Sequence, residues 1–359
     1  MKDITVVIGN YNYARFLREA IESALANVDA LAGVGVQARV CVLVIDDGST
    51  DGSRAIIESF GARVAPVFKE NQGQSSVYNL GLSLVQTEYV LFLDSDDILY
   101  PNAIAEVLRA FETGDYVKVQ FRLDVVREDG VRTGVRVPNS TPPRDCGALL
   151  RRGWLYPSPP ASGNAYRVSA LRAVFPIPVS KQHSKTADFF AIYGIALIGS
   201  ICALDGALGG YRVHRKAGER RSATVGQAGI LVGNYEDVSE VERSFPWRWE
   251  TLRQMIRARL GEDLPVHFID FSYEKNRLCV RLYEAPTAER WRRLMFESDR
   301  YFASLVRNPY WSAGKKLGAL GLTLLCLLPS RQLNQFALRY IANPACRSAS
   351  RGDSAAARV

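Results

Sequence analysis

The chain has 359 residues, 47% of them hydrophobic and 23% charged, with 28 Gly, 16 Pro and a formal net charge of +8. Such a make-up gives a globular chain of one large domain plus an appendage, and excludes disorder, a collagen-like repeat and a disulfide scaffold. Its six Cys stand far apart with no Cys-x-x-Cys pair, so neither zinc nor a bridge framework is indicated, and a reducing compartment is expected.

In chain order, Ile4–Ile8 is a β-branched apolar run broken by Gly9-Asn10-Tyr11-Asn12. Ala14–Ala26 places Phe16, Leu17, Ala20, Ile21, Ala24 and Leu25 on one helical face. Val40–Ile45 is a second strand ended by Asp46-Asp47-Gly48-Ser49, and Asp51 or Ser53 can cap a helix over Ala55–Phe60. Val64–Phe68 reads as a strand and Ser75–Leu84 as a helix. Tyr89–Leu93 is a strand ending in Asp94-Ser95-Asp96-Asp97, and Pro101 opens a helix to about Phe111. This alternation predicts an α/β fold: a mostly parallel sheet of doubly buried strands with helices on both faces. Ligands sit at the carboxyl ends of such strands, where three polar loops converge here.

Beyond it, Tyr116–Val137 is strand-like with a turn at Glu128-Asp129-Gly130, and Pro138–Pro160 is largely loop. Ala187–Leu197 reads as a helix, Ile201–Leu204 and Tyr211–His214 as late strands, and Gly218–Gly229 as a linker. Val232–Leu260 and Thr287–Arg307 are long helical patterns. The expected division is a domain over 1–225, with halves 1–97 and 98–225, then a helical basic region over 226–345 and a flexible tail over 346–359.

Residues 1–210 carry 20 Lys and Arg against 22 Asp and Glu, whereas residues 211–359 carry 25 against 15. The positive excess thus belongs to the C-terminal part. Leu317–Leu328 is almost wholly apolar, with Tyr310, Trp311, Lys315 and Lys316 before it and Arg331 after it. It falls short of the roughly 18–20 residues a spanning helix needs. It is expected to lie on the anionic headgroup layer of a membrane, with a buried helix as the alternative. The apolar start is too short for a secretory segment, so a cytoplasmic protein, peripheral on the membrane, is expected, with no nucleic-acid partner.

Asp94, Asp96 and Asp97 crowd three carboxylates behind a buried strand, an oxygen set suited to Mg²⁺ or Mn²⁺; the bland alternative is a capped turn. Asp46 or Asp47 can accept from a base N–H while Tyr11 stacks on the ring, or can simply hold an Asx-turn. Neither a Walker-type loop nor Gly-x-Gly-x-x-Gly is present, which makes P-loop and classical dinucleotide readings poor.

Five ordered segments combine: Val6–Asn12 with Gly9 and Tyr11, Asp46–Ser53, Asn71-Gln72-Gly73-Gln74-Ser75, Asn79–Leu82 and Leu93–Asp97. Over about residues 1–215 the chain resembles the family 2 glycosyltransferases, which implies a GT-A-type fold. The resemblance implies an inverting transfer from a nucleotide-diphosphate sugar, of UDP or dTDP type, to a saccharide or lipid-linked saccharide hydroxyl. By that resemblance Gly9, Tyr11, Asp46, Asp47, Asn71, Gln74, Asp94 and Ser95 hold the nucleotide, and Asp94 and Asp96 hold the divalent ion. Asp188, in Thr186-Ala187-Asp188-Phe189-Phe190, is the expected base, although relatives often have Glu where Ala187 stands. His214 is the expected third metal ligand, and Asn164, Arg167 and Asp97 are expected near the donor sugar and acceptor. A sugar-1-phosphate nucleotidyltransferase is the first rival; it usually shows a Gly-rich basic loop after the first strand, which is lacking here. A non-catalytic sugar-nucleotide or lipid binder of the same fold is the second.

Overall fold

The computed structural model describes residues 3–33, 38–180, 186–214, 238–283 and 285–342. They fall into two compact units. The described residues of Met1–Arg132, Arg136–Arg212 and Arg248–Val266 form one, and the second lies mainly from His267 onward.

The first unit opens with β1 (Ile4–Asn10), α1 (Ala14–Gly33), β2 (Val40–Asp46), α2 (Ser53–Glu58), β3 (Ala65–Phe68), α3 (Gln74–Leu84) and β4 (Tyr89–Asp94). β1 is parallel to β2 and β4, and β2 is parallel to β3. Alternate residues face opposite sides of a strand. Ile4, Val6 and Ile8 join Leu17, Ala20 and Ile21 of α1 in one apolar core. Val7 faces the other way, toward α3, where a Cβ on Gly81 would lie 2.9 Å from Val7 Cγ1. The doubly apolar strands are therefore explained by a helix on each face, as expected.

The chain continues through β5 (Ile98–Leu99), α4 (Ala103–Glu112), β6 (Tyr116–Val126), β7 (Arg132–Val137), α5 (Cys146–Leu150), β8 (Asn164–Arg167), α6 (Val168–Arg172), α7 (Ala187–Gly194) and β9 (Ser200–Arg212). Among the described residues one nine-stranded sheet runs in the order β3-β2-β1-β4-β8-β6-β9-β5, with β7 beside β6. β8 is antiparallel to β4 and β6, whereas β6 and β9 are parallel. The result is an α/β fold of the expected GT-A type, parallel in its first half and mixed in its second.

Several boundaries differ from the expected ones. Pro101 does not open α4; β5 pairs with Gly209 and Gly210, and Tyr100 donates to Leu208 O, which keeps the chain extended until a turn delays the helix to Ala103. The two late strands are one, because β6 offers β9 a partner along its whole length.

In the C-terminal part, α8 (Val238–Leu260) is followed by α9 (Phe271–Tyr283), α10 (Thr287–Phe296), α11 (Asp299–Val306), α12 (Ala313–Leu325) and α13 (Arg331–Ala342). The helix expected over Thr287–Arg307 is broken between α10 and α11, where Ser298 Oγ donates to Arg293 O. Leu278, Cys279, Leu282, Leu294, Leu305, Cys326 and Leu338 anchor the second unit's own core. Arg290 is buried and donates to the carbonyls of Ala285, Cys326 and Leu328, the last two just past the end of α12. Among the described residues no helix is long and apolar enough to cross a membrane, and Cys41, Cys146, Cys202, Cys279 and Cys326 are free thiols. The linker expected at Gly218–Gly229 and the tail over 346–359 lie outside the described residues.

Candidate active site

Strand register brings three polar tips side by side. Asn10 pairs with Asp46, and Gly9 pairs with Asp94 on the other flank of β1. Neighbouring strands lie about 4.8 Å apart, so Asp46 and Asp94 flank one narrow strand.

On the β2 side, Asp46 is 4% exposed. Its Oδ1 accepts from Asn10 Nδ2 at 2.8 Å and Ser49 Oγ at 2.6 Å, while Oδ2 accepts from Ser49 N at 3.0 Å. Asp47 accepts from Gln72 N at 3.0 Å and Gly73 N at 2.7 Å, and pairs with Lys69. The two aspartates thus build a wall at the strand tips, Asp46 holding the Gly48–Thr50 turn to Asn10 and Asp47 holding the Asn71–Gly73 loop. Gly48 sits at φ +76, where a Cβ would also fall 2.8 Å from Asn71 N. Tyr11 is 47% exposed at the β1 tip and Asn71 is exposed, which leaves an aromatic face and a polar loop open to a ligand.

On the β4 side, Asp94 is half-buried, with Ser95 and Asp96 buried behind it. Burial, then the nearby Asp96 and Asp188 carboxylates, push the Asp94 carboxyl well above its ordinary range. Tyr78 stacks on Phe92 with centroids 3.9 Å apart, and its buried hydroxyl has no hydrogen-bond partner among the described residues. Asp94, Asp188 and this hydroxyl are electrostatic neighbours.

Asp188 occupies the first turn of α7 and is half-buried, its Oδ1 accepting from Phe189 N at 2.8 Å. Burial raises its pKa, and the cations Arg248 and Lys118 pull it back. Gln74 spans the gap between the two acids: Oε1 accepts from Ala187 N at 3.2 Å, and Nε2 makes a long 3.5 Å contact to Asp94 Oδ1.

Three expected site residues do other work. Arg167 pairs with Tyr89, at the opposite end of β4 from Asp94, because β8 runs antiparallel; its guanidinium meets Glu88 at 2.8 Å and Tyr116 O at 3.2 Å. Asn164 is fully buried and its amide clamps the Ser158–Ala161 turn. Asp97 is 1% exposed, with Oδ2 accepting from Ser162 Oγ at 2.6 Å and Oδ1 from Arg212 N at 2.8 Å. Asn164 and Asp97 are thus buried with their polar atoms engaged inside the protein. His214 follows β9 by two residues. Among the described residues no group of three His, Cys, Asp or Glu side chains is placed to hold a metal ion.

Two buried cations were not singled out from sequence as site residues. Arg212 is 1% exposed under the acidic loop; Nε donates to Asp96 O at 2.7 Å, and its terminal nitrogens to Glu128 O at 2.8 Å and Glu19 Oε2 at 2.6 Å. Lys118 is fully buried in β6, with Nζ 3.0 Å from Ser158 Oγ and 3.3 Å from Tyr156 OH, and burial brings its pKa down to about 7. A signal existed: Lys118, Gln120, Arg122 and Asp124 alternate with Val117, Val119, Phe121 and Leu123, a polar stripe on a strand whose other face is apolar.

The profile of glycosyl transferase family 2 matches residues 5–175. An uncharacterised glycosyltransferase of Nostoc is 34% identical over 246 residues, covering 64% of this chain and 73% of that protein. The minor teichoic acid biosynthesis protein GgaA of Bacillus subtilis is 35% identical over 121 residues, covering 32% of this chain and 26% of GgaA. The crystal structure of S. aureus TarS 1–349 in complex with UDP-GlcNAc is 18% identical with a TM-score of 0.49, covering 98% of this chain and 92% of that one. With the family profile on residues 5–175 and a glycosyltransferase 34% identical over 73% of its own length, the chain belongs to glycosyl transferase family 2. It is a glycosyltransferase.

Proposed function

We propose that this glycosyltransferase moves a sugar from a nucleotide-diphosphate donor of UDP or dTDP type to an acceptor hydroxyl, with inversion, in the synthesis of a cell-surface or lipid-linked glycan. The observation that carries the reading is the Gln74 amide holding the start of the Asp188 helix beside Asp94. Asp188 removes the proton of the acceptor hydroxyl as its oxygen attacks the anomeric carbon; the bond from that carbon to the diphosphate breaks, and a nucleoside diphosphate leaves. One displacement with the base opposite the leaving group inverts the carbon. A carboxylate whose pKa is raised by burial is a stronger base than an exposed one, which suits the task.

Tyr11 stacks on the base, and the wall built by Asp46 and Asp47 receives the nucleoside. Asp94 and Asp96 fit a hard divalent ion: both are oxygen donors, and burial and neighbouring carboxylates already disfavour the charge on Asp94. Two carboxylates suffice for Mg²⁺ or Mn²⁺ when substrate phosphates complete the shell, and such an ion stabilises the charge on the leaving diphosphate. The GgaA likeness, through that protein's part in teichoic acid biosynthesis, supports a surface-glycan setting.

Product analysis tests the reading. Wild-type protein given a nucleotide sugar and an acceptor releases free nucleoside diphosphate, and Asp188→Asn loses turnover by about 10²- to 10⁴-fold while still binding donor. Release of pyrophosphate from sugar-1-phosphate and a nucleoside triphosphate overturns it in favour of activation. Full biological activity in Asp188→Asn overturns it in favour of a binding protein.

A further inference from the structure

Helices α12 and α13 pack against each other and bury one face of each in the second unit's core. Thr323, Cys326, Ala337 and Leu338 are fully buried there. A surface helix usually turns charge outward on its other face. Here the outward face of α12 and its end carries Leu317, Leu324 and Leu328, exposed at 68%, 51% and 40%. Leu317 and Leu324, seven residues apart, share one stripe of the helix, and Leu328 stands just past its end. Leu333 and Phe336 of α13 are likewise exposed at 43% and 58%. A Cβ built on Gly314, Gly318 or Gly321 would meet nothing within 4 Å, so the helix stands open over its length. Exposed apolar side chains of this size, grouped in this way, mark an interaction surface.

The charge of the segment identifies the partner. Residues 300–342 contain six Lys and Arg and not one Asp or Glu. Lys315 sits 4.5 Å from the centroid of the Trp311 ring, a pairing that keeps an aromatic body beside a cationic tip. A second copy of the chain would set like charge against like across a symmetric contact, which opposes association. An anionic bilayer offers what both features need: an apolar layer for the leucines and Phe336, and negative headgroups for the cations.

We propose that the outward face of α12 and α13 docks on an anionic lipid surface. The proposal is independent of the donor and of the base assigned to Asp188. Apolar insertion and basic attraction act together, and binding is salt-sensitive because the charge component is screened.

Vesicle flotation of the full chain tests it, with phosphatidylcholine vesicles and with vesicles enriched in phosphatidylglycerol. The wild type floats with the anionic vesicles and not with the neutral ones, and added salt weakens the binding. Leu324→Glu combined with Phe336→Glu lowers the bound fraction about tenfold with unchanged circular dichroism and Tm, since both side chains point to solvent. Lys315→Glu with Lys316→Glu weakens binding and its salt dependence. Absence of binding to anionic vesicles overturns the proposal, as does binding that ignores the Leu324/Phe336 pair. A concentration-dependent dimer abolished by that pair, or capture of an acidic protein in place of vesicles, also overturns it.

Discussion

Gln74 and Asp94 meet at a long 3.5 Å, and the same Gln74 amide accepts the Ala187 N–H at 3.2 Å. One side chain from the start of α3 thereby couples the acidic tip of β4 to the helix that carries Asp188. Gln74→Leu keeps the volume and removes both contacts. A hydrogen bond of this kind contributes about 1 kcal/mol, so kcat falls by about fivefold to tenfold with little change in Tm. Steady-state kinetics beside a melting curve checks this. Gln74→Glu, which adds a carboxylate beside Asp94, is the more damaging change.

Because burial raises the Asp188 pKa, the carboxylate proposed as the base forms at higher pH than an exposed aspartate does. The rate therefore rises with pH, and its acid limb lies higher than for an exposed aspartate. Arg248 favours the charged form, so Arg248→Gln raises the pKa further and moves the limb to still higher pH. A pH profile of kcat reads the shift directly. An unmoved limb contradicts the electrostatic role of Arg248.

Arg212 has no solvent to fall back on. Replacing it by Leu strands the Asp96 and Glu128 carbonyls and leaves Glu19 without its guanidinium, while the bond from the residue-212 N–H to Asp97 remains. Each buried carbonyl left without its donor costs about 1–3 kcal/mol, and the loss is measured by urea unfolding. Arg212→Lys recovers little, because an ammonium cannot reach several acceptors in a fixed fork.

Gly48→Ala is expected to destabilise the fold by about 1–3 kcal/mol and to weaken nucleotide binding, since the left-handed turn there also abuts the Asn71 backbone. Calorimetric titration of a nucleoside diphosphate beside a melting curve separates the two effects.

Much of the site's frame was legible in the sequence. Doubly apolar runs such as Ile4–Ile8 and Tyr89–Leu93 fit strands buried on both faces, and their polar tips mark the edge where ligands bind. Other features were not legible, for a physical reason. The direction of β8 depends on its neighbours rather than on Asn164–Arg167, so a motif that reads as one cluster is strung along a strand with Arg167 at the wrong end. Arg212 stood in a recognised segment, but only the path of β9 under the acidic loop gives its guanidinium a task. Lys118 required the β6–β8 pairing to reveal that its face points inward. The break before α11, where Ser298 Oγ donates to Arg293 O, leaves the helical periodicity intact and so is not registered by it.

The most direct test of the account is calorimetric titration of UDP and dTDP into the chain with and without Mn²⁺, repeated with Asp94→Asn. The account predicts saturable binding of at least one nucleoside diphosphate that depends on the ion and is lost in Asp94→Asn while the fold persists. Folded protein that binds no nucleoside diphosphate with any divalent ion, or binds one equally well without Asp94, contradicts it.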